Sequence, residues 1–163
     1  MNQLALIESP ETTGDRDCWG TPGDLFRTLD AEFHFAWDLA AEPWSAKCEN
    51  YFTPANDAFQ YDWTRLPQPL WLNPPFSDLS RWIGTAWRAA VYGATVVAIV
   101  PAHRCEQAWW HQYVIGQAAE VRCPRGRVEY VAPPGIAQSG PKFPSCVLVY
   151  RPGHAGPTIM RAL

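Results

Sequence analysis

Between Leu79 and Ala90 the apolar residues recur at intervals of three and four. Leu79, Trp82, Ile83, Ala86, Trp87 and Ala90 share one face, and Arg81 and Arg88 lie on the other. This period predicts an amphipathic helix from Ser77 to Tyr92, closed by Gly93. Thr95 to Val100 is β-branched and apolar without alternation, as in a strand buried on both faces. Leu70 to Leu72 and Cys146 to Tyr150 read as further buried strands, and Phe33 to Ala41, rich in aromatics, as an earlier one running through Asp38. Thr21 is placed to cap a helix that has Pro22 at its first position, runs to about Ala31 and turns Leu25, Phe26 and Leu29 inward. A turn of helix around Ala46 to Glu49, a helix from Glu106 to Ile115, and short strands at Glu120–Cys123 and Val128–Val131 complete the pattern. Ala132 to Pro144 is rich in Pro, Gly and Ser and is expected to be a mobile loop. Strands alternating with helices predict an α/β fold with an open sheet, organised as one domain over residues 18–151 between an N-terminal tail (1–17) and a loose C-terminal tail (152–163).

Composition agrees with a globular domain. The chain has 163 residues, 47% of them hydrophobic and 18% charged, which is enough to bury a core. No apolar run approaches the ~18 residues of a membrane span, and the first residues carry no basic-then-apolar signal pattern. A cytoplasmic protein with no membrane partner is expected. The five cysteines show no paired spacing and the four histidines no ligand spacing, so buried free thiols and no metal are expected. Charge is unevenly spread. Met1 to Asp78 holds thirteen acids against four bases, and Leu79 to Leu163 three acids against nine bases. That excess gives the second half a means of meeting a polyanion.

The chemistry concentrates at Leu72-Asn73-Pro74-Pro75-Phe76. Each proline fixes φ and lacks an N–H, and the residue before a proline is biased to extended geometry. A strand that stops here throws a rigid turn carrying a side-chain amide, unpaired carbonyls and an aromatic ring, a set suited to gripping a planar NH2 group. Ligands of open α/β sheets sit at the carboxyl ends of strands, where both Asp38 and Asn73 are expected.

Cys18-Trp19-Gly20-Thr21-Pro22, Asp38-Leu39-Ala40-Ala41, Asp57, Asp62-Trp63, Trp71 to Phe76, Val97 to Ala102, Trp109-Trp110 and Gly126-Arg127 occur in that order. Together they resemble the phage-encoded DNA N6-adenine methyltransferases related to Dam, from about Cys18 to Tyr150. The resemblance implies a compact Rossmann-like fold with a mixed central sheet, S-adenosylmethionine as cofactor and no metal. It implies that Asp38 and Ala40 meet the cofactor at the first strand, that Trp19, Thr21 and Pro22 close over its methionine end, and that Asn73 borders it. Asp57 stands either against its ribose or adenine or as a capping acid. Asn73 and the Pro74 carbonyl would accept hydrogen bonds from the target amine, Pro75 would stiffen the turn, and Phe76 would stack on a flipped base. The chain departs from the usual methyltransferase pattern in having alanines where a glycine-rich loop is common.

Only about thirty residues separate Asp38 from Asn73, so target recognition would fall after Phe76. Arg104, Arg122, Arg125, Arg127 and Lys142 are available to double-stranded DNA or belong to a solvated surface, and Trp109-Trp110 to base stacking or to the core. So short a chain also suits a homodimer. Two other functions use the same motif: N-methylation of RNA bases or of a release-factor glutamine, and an inactive nucleic-acid-binding relative.

Overall fold

The computed structural model describes residues 17–140 and 143–163. Seven strands form one mixed sheet: β1 (Trp37–Asp38), β2 (Asn50–Tyr51), β3 (Leu70–Leu72), β4 (Val96–Pro101), β5 (Glu120–Cys123), β6 (Ser145–Tyr150) and β7 (Ile159–Ala162). Their spatial order is β2-β1-β3-β4-β6-β5-β7. The first four run parallel, β6 is antiparallel to both its neighbours, and β7 runs parallel to β5. The carboxyl ends of β1, β3, β4 and β5 therefore share one edge of the sheet. β1 lies between β2 and β3, so the chain reverses its direction of travel across the sheet there, which makes a topological switch point.

Period-2 alternation divides the central strands between two cores. Leu70, Leu72, Val96, Ala98, Val100 and Leu148 face one way, against the helices α2 (Leu79–Val91) and α3 (Ala108–Tyr113). Trp71, Val97, Ile99, Val147 and Val149 face the other, against α1 (Gly23–Phe33) and the buried Val128 and Tyr130. Covering on both faces explains why β4 is apolar at every position and β6 from Cys146 onward.

Several elements differ from the sequence pattern. Phe33 closes α1 instead of opening a strand: His34, at φ 56°, caps the helix through its N–H to the Asp30 carbonyl, and the Asp30 carboxylate takes the Phe35 N–H at 2.8 Å. Only Trp37–Asp38 of the expected strand pairs. Pro22, not Thr21, is the N-cap of α1, and no side chain caps it. The turn expected near residues 46–49 falls at residues 42–46, where the Glu42 carbonyl accepts from Ser45 and Ala46. Val128 to Val131 makes no strand and contributes one bridge, Gly20 to Val131. The expected loose C-terminal tail instead supplies β7, paired with β5 along four residues. The described part of the 132–144 stretch has no helix, strand or bridge residue. Gln138 stitches it, donating to the Tyr130 carbonyl at 2.6 Å and accepting from the Ala132 N–H at 3.0 Å.

The thiols also depart from expectation. Cys146 is buried, but Cys18, Cys105 and Cys123 are exposed. Burial pushes the Cys146 thiol up to about 12. No described helix is long and apolar enough to cross a membrane.

Candidate active site

A cavity of about 430 Å³ opens at the carboxyl ends of β1 and β3, at the switch point. Leu39, Ala40 and Ala41 leave β1 along its wall, Glu42 and Ser45 continue it, and Asn73 and Pro75 face in from the end of β3. The irregular stretch after β2 adds Phe52, Asp57 and Phe59, the start of α2 adds Arg81 and Trp82, and Asp17 to Trp19 cross the remaining side. Among the described residues four carboxylates (Asp17, Glu42, Asp57, Asp78) stand against one lining cation, Arg81. Its guanidinium lies 3.8 Å over the Phe59 ring.

Asn73 is half-buried, and its Nδ2 donates to the Trp19 carbonyl at 2.8 Å. Among the described residues nothing donates to its Oδ1. Pro74 is buried. Phe76 turns away from the cavity and makes edge contacts with Tyr130 (5.8 Å, 80°) and Phe143 (5.5 Å, 65°), while the exposed His103 stands 5.1 Å from Phe143. The turn thus has two sides, an acid-lined cavity and an aromatic cluster.

Asp38 is 2% exposed and does not line the cavity. Its Oδ1 accepts from the Ala40 N–H at 3.3 Å and its Oδ2 from the Lys47 N–H at 3.0 Å. Burial pushes its carboxyl up to about 7, against the pull of those two N–H groups and of the Lys47 charge. Asp38 therefore acts on the cavity through the loop it braces. Asp57 does two things at once, capping the next turn through the Phe59 N–H at 3.1 Å and lining the cavity. Thr21 is buried with Oγ1 unpartnered among the described residues, and neither it nor Pro22 reaches the cavity.

Of the expected cofactor residues, the structure brings together Trp19, Ala40, Asp57 and Asn73. Sequence reasoning missed Glu42, Ser45, Phe52, Phe59, Arg81 and Trp82. The stretch from 42 to 60 has no periodicity to read. The helical period puts Arg81 on the solvent face of α2, and the cavity lies at the first turn of that helix, where this face meets the sheet edge.

Arg104 follows β4 and Arg125 and Arg127 follow β5, so all three stand on the edge that carries Asn73. Arg125 and Arg127 are exposed. Arg104 is half-buried and its Nε has no partner among the described residues. Lys142 lies outside the described residues. Arg122 is unavailable to phosphate: it is 7% exposed and bonded to Glu32 (2.8 Å) and Glu120 (2.9 Å). Arg151 and Arg161 also pair with Glu120, so part of the basic excess of the second half is internally neutralised. Trp109 and Trp110 are buried in the core. Among the described residues no group of His, Cys, Asp and Glu is arranged to hold a metal.

The profile of the family described as "Dam: DNA N-6-adenine-methyltransferase (Dam)" matches residues 8–160. Over 75 residues the chain is 29% identical to the DNA N-6-adenine-methyltransferase of Haemophilus phage HP1 (strain HP1c1), a stretch amounting to 45% of this chain and 42% of that protein. The match thus spans less than half of the relative's length. The family match covers most of the chain, which belongs to the Dam DNA N-6-adenine-methyltransferase family.

Proposed function

We propose that this member of the Dam family is a DNA adenine-N6 methyltransferase that uses S-adenosylmethionine and acts on an adenine flipped out of duplex DNA. We read residues 18–151 as a single methyltransferase domain, completed at the sheet edge by β7, with parallel strands and a switch point in a Rossmann-like arrangement. The observation that carries the proposal is the two-sided turn. Asn73 stands on the wall of an acid-lined cavity, and Phe76, three residues on, stands in an aromatic cluster on the opposite side.

The cavity suits the cofactor. Its volume of about 430 Å³ is in the range of small-molecule sites. Its four acids favour a ligand of net positive charge, Arg81 is placed for a carboxylate, and Trp19, Phe52 and Phe59 give apolar walls. Ala40 and Ala41 keep the end of β1 low, the task that glycines perform in the commoner pattern. Glu42 and Asp57 would take hydroxyls. S-adenosylmethionine bound there supplies an electrophilic methyl group.

The rest falls to the turn. The lone pair of an adenine amine is conjugated with the ring and is a poor nucleophile. Asn73 Oδ1 and the Pro74 carbonyl accept from the two N–H bonds, favour tetrahedral nitrogen and stabilise the positive charge that develops there. Phe76 stacks on the extruded base, offsetting a few kcal/mol of lost stacking. Arg104, Arg125, Arg127 and Lys142 hold the phosphates. Incubation with tritiated S-adenosylmethionine and unmethylated duplex DNA, followed by digestion to nucleosides, should place label in N6-methyldeoxyadenosine. Label absent from DNA, or found only in RNA or protein, overturns the proposal.

A further inference from the structure

The Asn73-to-Ser77 turn has little backbone of its own with which to be held. Pro74 and Pro75 have no N–H, so an acceptor on a neighbouring segment can tie the turn only at its ends. Asp17 to Gly20 does so at both ends. The Asp17 carboxylate accepts from the Ser77 N–H at 2.9 Å and also from its hydroxyl. Two residues on, the Trp19 carbonyl accepts from Asn73 Nδ2 at 2.8 Å. The segment is itself fixed. Gly20 and Val131 exchange two backbone hydrogen bonds, at 2.9 and 2.8 Å. The Trp19 ring is packed so closely on Gly140 that a Cβ there would lie 3.1 Å from it.

An amide has one accepting and one donating end, and nothing within Asn73 decides which faces the target. A carbonyl can only accept. Rotating the amide by half a turn would set Oδ1 against the Trp19 oxygen and present an NH2 to the target's NH2, so both contacts become repulsive. We propose that Asp17 to Gly20 is a strap whose Trp19 carbonyl selects the active orientation of the Asn73 amide, with Asp17 and Ser77 as the latch that keeps it in register. This rests on the reading of Asn73 as acceptor of the target amine. Asp17 and Ser77 are positioning residues, and the donated hydrogen bond also polarises the amide and strengthens Oδ1 as an acceptor.

The test turns on Asn73→Asp, which keeps an acceptor for the target and loses the donor to Trp19. At about pH 8 the carboxylate would face the Trp19 carbonyl, and kcat should fall roughly a hundred-fold. As pH falls toward about 5.5 a rising fraction of the acid is protonated and donates to Trp19, so activity relative to wild type should rise. Asn73→Ala should stay inactive throughout. Ser77→Ala, which leaves Asn73 itself unchanged, should lower kcat about ten-fold, and Ser77→Thr should restore it. Calorimetric cofactor binding verifies that each variant is folded. Wild-type activity of Asn73→Asp at about pH 8, a deficit that does not change with pH, or normal kcat in Ser77→Ala would each overturn the strap while leaving Asn73 as acceptor. Full activity of Asn73→Ala would instead remove the reading on which the strap rests.

Discussion

Two buried charges, one in each half of the sheet, are satisfied in opposite ways. Asp38, at the end of β1, is 2% exposed, and its carboxylate takes hydrogen bonds from two backbone N–H groups. Arg122, on β5, is 7% exposed and is held by Glu32 and Glu120, the latter held in turn by Arg151 and Arg161. The electrostatic results diverge accordingly. Burial pushes Asp38 up to about 7, whereas the hydrogen bond from Arg122 holds Glu32 below the usual carboxylate range. For Glu120 burial pulls upward, but the hydrogen bonds from Arg122 and Arg151 prevail and hold it down. The parallel half leaves its interior charge to the loop that forms the cavity wall. The antiparallel half cancels its charges in pairs and so fastens α1, β5, β7 and the residue after β6 together. One half is arranged for ligands and the other for cohesion.

The sharpest break of that division is functional. Asn73→Ala removes the acceptor for the target amine together with the donor to the Trp19 carbonyl. It should lower kcat by about a thousand-fold or more, with far smaller losses in cofactor affinity and Tm. Arg122→Met should do the reverse. It leaves Glu120, with 8% side-chain exposure, facing only the more exposed Arg151 and Arg161. Removing one partner of a buried ion pair costs about 3 kcal/mol, which for a domain of this size lowers Tm by roughly 6–12 °C. At temperatures where the variant stays folded, kcat and DNA affinity should be unchanged. If Arg122→Met loses DNA binding while folded, the two halves are not separate in function.

Asp38→Asn addresses the other charge. Its carboxyl has a folded value of about 7, above the ordinary 3.8, so the folded chain binds the proton more tightly than the unfolded one. The stability this contributes is complete below about 4 and is lost as pH rises to about 7. Wild type should therefore show a Tm component that declines over that interval, and Asp38→Asn, neutral throughout, should lack it. The asparagine also sets an NH2 against either the Ala40 or the Lys47 N–H, a cost of about 1–3 kcal/mol. A thermal melt series across pH checks both effects. An unaltered pH slope in the variant would show that the Asp38 carboxyl titrates alike in the folded and the unfolded chain.

The sequence was most legible where a local rule and the tertiary environment agreed. Leu70–Leu72, Val96–Val100 and Cys146–Tyr150 are buried on both faces, and their unbroken apolar runs state as much. The motif from Asn73 to Phe76 could be placed at a strand end because two prolines forbid any continuation. Legibility failed where a side chain's partner is remote. Arg122 looks like the surface arginines 125 and 127 until Glu32, 90 residues away, is brought beside it. β7 has no interior face and therefore no apolar signature, with all four residues exposed. Its pairing is decided by the free edge of β5. Apart from β2, the cavity wall from Glu42 to Phe59 is short turns and irregular backbone braced by Asp38 and Asp57, and its shape is set by those hydrogen bonds and not by any repeat.

The smallest expected effect concerns the remaining arginines and tests the division where it is least obvious. Arg127 and Arg151 are both partly or fully exposed cations of the second half, and composition alone would assign both to DNA. Arg127 stands on the sheet edge that carries Asn73, and no described ion pair includes it. Arg151 is committed to Glu120 at 3.0 Å and Glu32 at 3.5 Å, at the opposite end of β6. A phosphate contact releases counterions, so its loss should reduce the slope of log K against log salt by about 0.9 for duplex DNA. Arg127→Ala should show that change, with binding weakened evenly across sequences and Tm unaltered. Arg151→Ala should leave the salt slope as it is and lower Tm slightly, by an amount small because the pair is partly exposed. The measurement is a DNA-binding titration at several salt concentrations for both variants. Equal slopes in Arg127→Ala and wild type would remove the carboxyl edge of β5 from the DNA interface, and a reduced slope in Arg151→Ala would extend that interface to the far end of the sheet.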